Sequence, residues 1–381
     1  MTENKSNPLD KGNTDDDDVK DLIKDLKIIQ DQVRQGFKAK TKIKKNDAHL
    51  IKKATMISRG ILKIDPVENV YHQAELPRGL SLNLTGHCNY NCTYCAIVLK
   101  PNPPEYIDEK VFKKAFDEIG NHPLYVQLGA RGEALLHPKA FDFFKYIKEK
   151  NKQTYICLNT NGSMCNKKIT EKLLMSEVDQ IIFSLQTVNE EIYERIEDNK
   201  HFQKVMANIR YLSKRRKEIN SNMVVSAQFL DTEENLPHRD AFEAFCEECG
   251  IDMQVNNVHE WGDKFETKLD ADANRYPCPY LWLYPTLTHN GNLGPCYADW
   301  YEEMVFGSVE DKTVHDVWTG ERAQQIRELH LNSQWDELPL CKNCSGWSVM
   351  PNPFVKKGNT FTLPLIEENE SDAHSQTAHV S

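Results

Sequence analysis

The chain has 381 residues with a formal net charge of -10, and 27% of its residues are charged. This length accommodates a core of ordinary size plus a smaller second unit, because single cores rarely exceed about 250 to 300 residues. An acidic balance argues against nucleic acid or an anionic membrane as partner, since both require a basic footprint.

In chain order, residues 1 to about 18 contain the acidic run Asp15 to Asp18 and almost nothing apolar, the composition of a disordered segment. From Val19 to about Gln35, Leu22, Ile23, Leu26, Ile29 and Val33 recur at helical steps, which predicts an amphipathic helix that packs on the main domain or binds a partner. Lys38 to Lys45 reads as a solvated linker. The polar start MTENKSNPLDKG lacks the apolar run of a signal peptide, and no stretch reaches the roughly 18 apolar residues of a membrane span, so a cytoplasmic protein is expected. In that compartment eleven cysteines are metal ligands or redox groups more readily than disulfides.

Between Leu80 and Asn257, short β-like runs alternate with amphipathic helical segments. The predicted strands are Leu80 to Leu84, Leu124 to Leu128, Thr154 to Leu158, Gln180 to Leu185, Met223 to Phe229 and Asp252 to Asn257. Helices are predicted at Glu109 to Ile119, Pro138 to Lys148 and Phe202 to Arg215. Six such α/β units fit either an open (β/α)6 barrel or a doubly wound sheet, and both put ligands at the C-terminal ends of the strands. From Tyr276 the chain becomes rich in aromatics, proline and cysteine, and Asn290-Gly291 between β-like flanks predicts a hairpin. A helix-like stretch from Val314 to His330 follows, and the tail beyond Pro351, ending in EENESDAHSQTAHVS, is polar and expected to be disordered.

Seven cysteines fall into two groups. Cys88, Cys92 and Cys95 stand at CxxxCxxC spacing directly after the first predicted strand. Three thiolates from one tight loop can hold three irons of a 4Fe-4S cubane and leave the fourth open. A zinc site and buried inert cysteines are the alternatives, although His87 is badly placed to close the same loop as a fourth zinc ligand. The second group, Cys278, Cys296, Cys341 and Cys344, surrounds the predicted hairpin, and its four thiolates would complete one cluster or one zinc. Cys246 and Cys249 form a further CxxC inside a predicted helix that ends at Gly250, and they read as packed cysteines.

The first group, with Tyr94 before its last cysteine, resembles the CxxxCxΦC signature of the radical S-adenosylmethionine (SAM) superfamily. The resemblance implies a partial (β/α)6 barrel in which Cys88, Cys92 and Cys95 bind a 4Fe-4S cluster. The open iron of that cluster chelates SAM, with Tyr94 near the adenine. It further implies reductive cleavage of SAM to a 5′-deoxyadenosyl radical that abstracts a substrate hydrogen, and an electron donor such as flavodoxin or ferredoxin.

Ala130-Arg131-Gly132-Glu133-Ala134 resembles the family's Gly-Gly-Glu-Pro, making Gly132 and Glu133 the expected contacts of the SAM amino group, with Arg131 and Ala134 as departures. Asn159-Thr160-Asn161-Gly162 looks like the family's Thr-Asn-Gly turn, and Ser184-Leu185-Gln186 resembles its Ser-x-Asp, so Ser184 is the expected ribose or carboxylate contact. In Tyr193-Glu194-Arg195-Ile196-Glu197, Arg195 is the candidate for the carboxylate-binding arginine, although a glutamate occupies the aligned place.

The spacing Cys-x17-Cys, then x44-Cys-x2-Cys, resembles the twitch subdomain, the short form of the SPASM domain, and implies a second 4Fe-4S auxiliary cluster. Asn257 to Gly262 resembles the linker that precedes it. The expected division is an N-terminal extension at 1–76, a radical SAM core at 77–265, an auxiliary-cluster domain at 266–350 and a tail at 351–381. An auxiliary relay offers a sink for a second electron, so dehydrogenation of a sugar, cyclitol or other small alcohol is the first functional expectation. Radical modification of a peptide or protein side chain is the rival. A non-catalytic, zinc-stabilised interaction module is the alternative from another class.

Overall fold

The computed structural model describes residues 75–99, 105–121, 124–259, 275–349 and 354–362. The expected N-terminal helix, the linker and the end of the tail lie outside the described residues, as does Trp261-Gly262.

Six parallel strands follow one another in chain order: β1 (Gly79–Leu82), β2 (Tyr125–Leu128), β3 (Tyr155–Thr160), β4 (Gln180–Gln186), β5 (Val224–Leu230) and β6 (Asp252–Asn256). Between them run α1 (Glu109–Ile119), α2 (Ala140–Lys150), α3 (Lys167–Leu174), α4 (Glu190–Ile196), α5 (Phe202–Glu218) and α6 (Arg239–Cys249). Spatial order equals sequence order from β6 to β1, without the reversal that defines a doubly wound sheet. The open-barrel alternative is therefore the one adopted.

Each unit has a local cause. Asp108 caps α1 by accepting from the backbone N–H groups of Lys110 and Val111, and Phe112, Ala115, Phe116 and Ile119 form its buried stripe. At the other end of the helical series, α6 stops where Gly250 takes φ 66°, a left-handed cap that glycine adopts without strain. Cys246 and Cys249 are buried on this helix within the apolar core, as packed cysteines.

The sheet has two chemically distinct faces. Leu82, Leu128, Leu158, Ile181 and Val225 pair across five strands and are all buried in the apolar core. Ser81, Gln127, Cys157 and Gln180 occupy the neighbouring register and face the opposite, concave side. The two-residue side-chain period thus separates an apolar face from one that mixes these polar groups with Tyr125, Tyr155 and Ile182 of the core.

At the N-terminal rim, Lys148 is 4% exposed and donates to Asp179 Oδ2 at 2.7 Å and to the Thr154 carbonyl at 2.8 Å. Lys148→Ala leaves a buried aspartate without its charge partner and should cost about 3 to 5 kcal/mol in a denaturant titration. Because this rim is remote from the strand ends that carry function, the variant should keep its capacity to bind metal.

The second cysteine-bearing region is continuous with the barrel sheet. β7 (Thr286–Leu287) pairs parallel with β1, and β8 (Asn292–Gly294) and β9 (Gly307–Ser308) add antiparallel strands. Gly291, at φ 78°, makes the predicted hairpin turn. The short helix α7 (Tyr280–Leu283) precedes the hairpin. The stretch expected as one helix from Val314 to His330 is instead two, α8 (Val314–Trp318) and α9 (Glu321–Leu331). Gly320 breaks it with extended backbone, and a Cβ there would lie 2.6 Å from the Asp316 carbonyl. A small hairpin of β10 (Val355–Lys357) and β11 (Thr360–Thr362) closes the described chain.

Candidate active site

The loop carrying Cys88, Cys92 and Cys95 leaves the C-terminal end of β1 and is gripped from three sides. After β2, the Glu133 N–H donates to the His87 carbonyl at 2.9 Å. After β3, Asn161 Nδ2 donates to Asn89 Oδ1 at 3.0 Å and reaches Cys88 Sγ at 3.9 Å. At the end of α4, the Ile196 carbonyl accepts from the Thr93 N–H at 2.8 Å.

Gly132 has a steric reason to be glycine. At φ 65°, its added Cβ would stand 2.4 Å from the Thr85 carbonyl and 2.7 Å from that of His87. Only a residue without a side chain lets this turn close on the cysteine loop.

Glu133 is 2% exposed, and its carboxylate accepts from the Leu135 N–H, the Thr160 hydroxyl and the Asn161 N–H. Burial pushes its pKa up against these hydrogen bonds. A cation brought to this carboxylate would offset that cost. Ser184 is half-buried and donates to Gln228 Oε1 at 3.2 Å on the concave face.

Arg195 is not brought to the cysteine loop: its exposed guanidinium pairs with Glu234. The residue that reaches the loop is Glu197, 1% exposed, with Oε2 accepting from Cys92 Sγ at 2.7 Å and Oε1 from the Tyr94 hydroxyl at 2.5 Å. Burial pushes its carboxyl up to about 7. The signal was visible as the glutamate standing where an arginine was aligned, but its burial depends on the packing of α4 against the loop.

Burial also opposes ionisation of the three thiols, raising Cys88 to about 12 and Cys95 to about 11, with Cys92 raised as well. Cysteines so placed become thiolates when a metal supplies the compensating charge. In the second group, Cys278, Cys296, Cys341 and Cys344 line one cavity. His330 accepts from the Cys278 N–H at 3.2 Å and is held neutral, its pKa pushed down to about 3 chiefly by burial. Arg275 donates to the Cys341 and Lys342 carbonyls. Among the described residues, no three His, Cys, Asp or Glu gather closely enough for a single ion. Four thiolates around one cavity can complete either a 4Fe-4S cubane, each binding a different iron, or one tetrahedral zinc.

The comparisons agree with this arrangement. Residues 82–233 match the Radical SAM superfamily, and residues 278–345 match SPASM, an iron-sulfur cluster-binding domain. The chain belongs to the radical SAM superfamily and carries a C-terminal SPASM domain. Its cofactors are accordingly a 4Fe-4S cluster, SAM and auxiliary iron-sulfur.

It is 21% identical over 318 residues to the tungsten-containing aldehyde ferredoxin oxidoreductase cofactor-modifying protein of Pyrococcus furiosus, covering 70% of this chain and 86% of that one. It is 30% identical over 59 residues to the S-adenosyl-L-methionine-dependent 2-deoxy-scyllo-inosamine dehydrogenase of Niallia circulans, 16% of this chain and 24% of the relative. Streptococcus suis SuiB bound to precursor peptide SuiA shares the fold with a TM-score of 0.54 at 16% identity, over 86% of this chain and 84% of SuiB. No helix among the described residues is long and apolar enough to cross a membrane.

Proposed function

We propose that this radical SAM enzyme is a dehydrogenase that oxidises a secondary alcohol of a neutral polyol, a sugar, cyclitol or similar small alcohol. The observation behind this reading is the concave face of the sheet. It presents amides and hydroxyls: Gln127 donates to Asn159 at 3.2 Å, Ser184 to Gln228 at 3.2 Å and Gln254 to Ser226 at 2.8 Å. Near the junction of β1 and β7, Ser81 Oγ, Asn83 Nδ2 and Thr286 Oγ1 are buried without a hydrogen-bond partner. Buried polar atoms are normally satisfied, and a polyol hydroxyl, which both donates and accepts, is one partner that suits them. The local identity to a cyclitol dehydrogenase supports the same reading.

In this assignment Cys88, Cys92 and Cys95 hold the SAM-binding cluster, and Cys278, Cys296, Cys341 and Cys344 hold one auxiliary 4Fe-4S cluster. When bound, these cofactors supply a 5′-deoxyadenosyl radical and a sink for one electron; the chain supplies orientation and exclusion of water. Glu133 receives the SAM ammonium, Gly132 lets that carboxylate approach, Tyr94 borders the adenine, and Ser184 meets the ribose or carboxylate. The barrel amides hold the polyol, and a donor such as flavodoxin or ferredoxin supplies the electron.

Glu133→Gln keeps the shape and removes the charge, which should weaken SAM binding by about 1.5 kcal/mol, roughly tenfold. Calorimetric titration of reconstituted protein measures it, and unchanged affinity would remove Glu133 from the site. For the substrate, carbonyl products are sought after anaerobic turnover with inositols, aminocyclitols and hexoses. A carbonyl formed with none of them, alongside radical cross-linking of a peptide, would favour the rival reading, which the fold likeness to SuiB keeps in view. The family assignment displaces the zinc-stabilised module.

A further inference from the structure

Arg131 stands where the family motif has a glycine, and its side chain does something a glycine cannot. It is 4% exposed, and its backbone N–H is taken by Asn83 Oδ1 at 3.1 Å. The guanidinium crosses to the loop that follows Cys296. There Nε donates to the Tyr297 carbonyl at 3.4 Å, Nη2 to the Asp299 carbonyl, and Nη1 to Glu302 Oε1 at 3.5 Å.

That loop is itself tightly folded. The Asp299 carboxylate accepts from the Glu303 and Met304 N–H groups, both at 2.9 Å. Glu302 Oε2 accepts from Asn290 and Asn292 of the hairpin at 3.0 and 2.6 Å. Between Asp299 and Glu302, the Trp300 ring lies 5.6 Å from the Arg131 guanidinium. Trp300 also packs with Ala96 and Ile97, alongside Cys88 and Cys95. One loop therefore carries a cysteine of the second group and an aromatic wall of the first, and the residue fastening it to the turn before Glu133 is Arg131.

We propose that Arg131 is a positioning residue for the auxiliary site: it clamps the Cys296–Glu302 loop against the SAM-side turn and so sets how Cys296 and Trp300 stand relative to the first cysteine loop. A planar guanidinium suits the task, because its fixed fork of donors addresses several acceptors at once and its face stacks on an indole, whereas an ammonium is a single point. The inference rests on the reading of Cys296 as a cluster ligand, but the clamp itself is a property of the protein chain.

The test compares reconstituted wild type with Arg131→Ala and Arg131→Lys by amide hydrogen exchange and by EPR-monitored redox titration. Exchange in residues 297–304 should quicken at least tenfold in Arg131→Ala while β2 and β3 keep wild-type protection, and Arg131→Lys should restore part of it. The auxiliary-cluster midpoint should move, and by more than that of the first cluster, which Trp300 touches only from outside its cysteine loop. Wild-type exchange in 297–304 in both variants overturns the clamp whether or not a polyol is the substrate. Faster exchange with both midpoints unchanged overturns the link to the auxiliary site. Should Arg131→Ala fail to fold, Arg131→Lys alone decides: it overturns the proposal if its exchange and both midpoints equal those of wild type.

Discussion

Replacing Cys88, Cys92 and Cys95 together by alanine should abolish 5′-deoxyadenosine formation and remove about half of the iron and sulfide, about 4 of 8 irons for two cubanes. The loop lies between the ends of β1, β2 and β3 and the end of α4, and its backbone hydrogen bonds to Glu133 and Ile196 do not use the thiols. The variant should therefore fold. Iron and acid-labile sulfide analysis after anaerobic reconstitution reads the first part, and product chromatography the second. Full iron content in the triple variant would place the cluster elsewhere.

Replacing Cys341 and Cys344 by serine should separate cleavage of SAM from oxidation of substrate. The first cysteine loop draws its hydrogen-bonded supports from the barrel strands and α4, so 5′-deoxyadenosine should still form. Oxidised product should fall from about one per 5′-deoxyadenosine towards zero, because two-electron oxidation needs an acceptor for the second electron. Metal binding contributes folding energy to the unit around these cysteines, so circular dichroism must first show that the variant keeps its structure. A ratio at the wild-type value would rule out the relay and leave a redox-neutral reaction or a scaffold role for this site.

What was legible in the sequence was what is local. The helix α1 was found to the residue because Asp108 caps it and its apolar positions recur on one face. The six barrel strands were found to within two residues because they are short, mostly apolar runs alternating with helical segments, whereas β10 and β11, in the tail read as polar, were not anticipated. The helix over Val314 to His330 was read as continuous because Gly320 interrupts periodicity less than it interrupts backbone geometry. In the site, cysteine spacing is a property of one loop and could be read directly. The contacts of Glu197 with Cys92, and of Arg131 with the Cys296 loop, join residues more than a hundred positions apart. No spacing rule reaches them. Arg131 and Glu197 both registered only as departures from a motif, and packing shows what each departure does. The orphaned atoms of Ser81, Asn83 and Thr286 were equally invisible, because a hydroxyl or amide lacks a partner only in three dimensions.

The central claim, radical oxidation of a neutral polyol, is tested most directly by deuterium transfer. Reconstituted, reduced enzyme is given SAM and polyols deuterated at their carbinol carbons, and 5′-deoxyadenosine is collected for mass spectrometry. The account predicts deuterium in the 5′-deoxyadenosine and one carbonyl product for each SAM cleaved. Deuterium-free 5′-deoxyadenosine with every polyol, and no carbonyl product from an enzyme that cleaves SAM and holds both clusters, would contradict it.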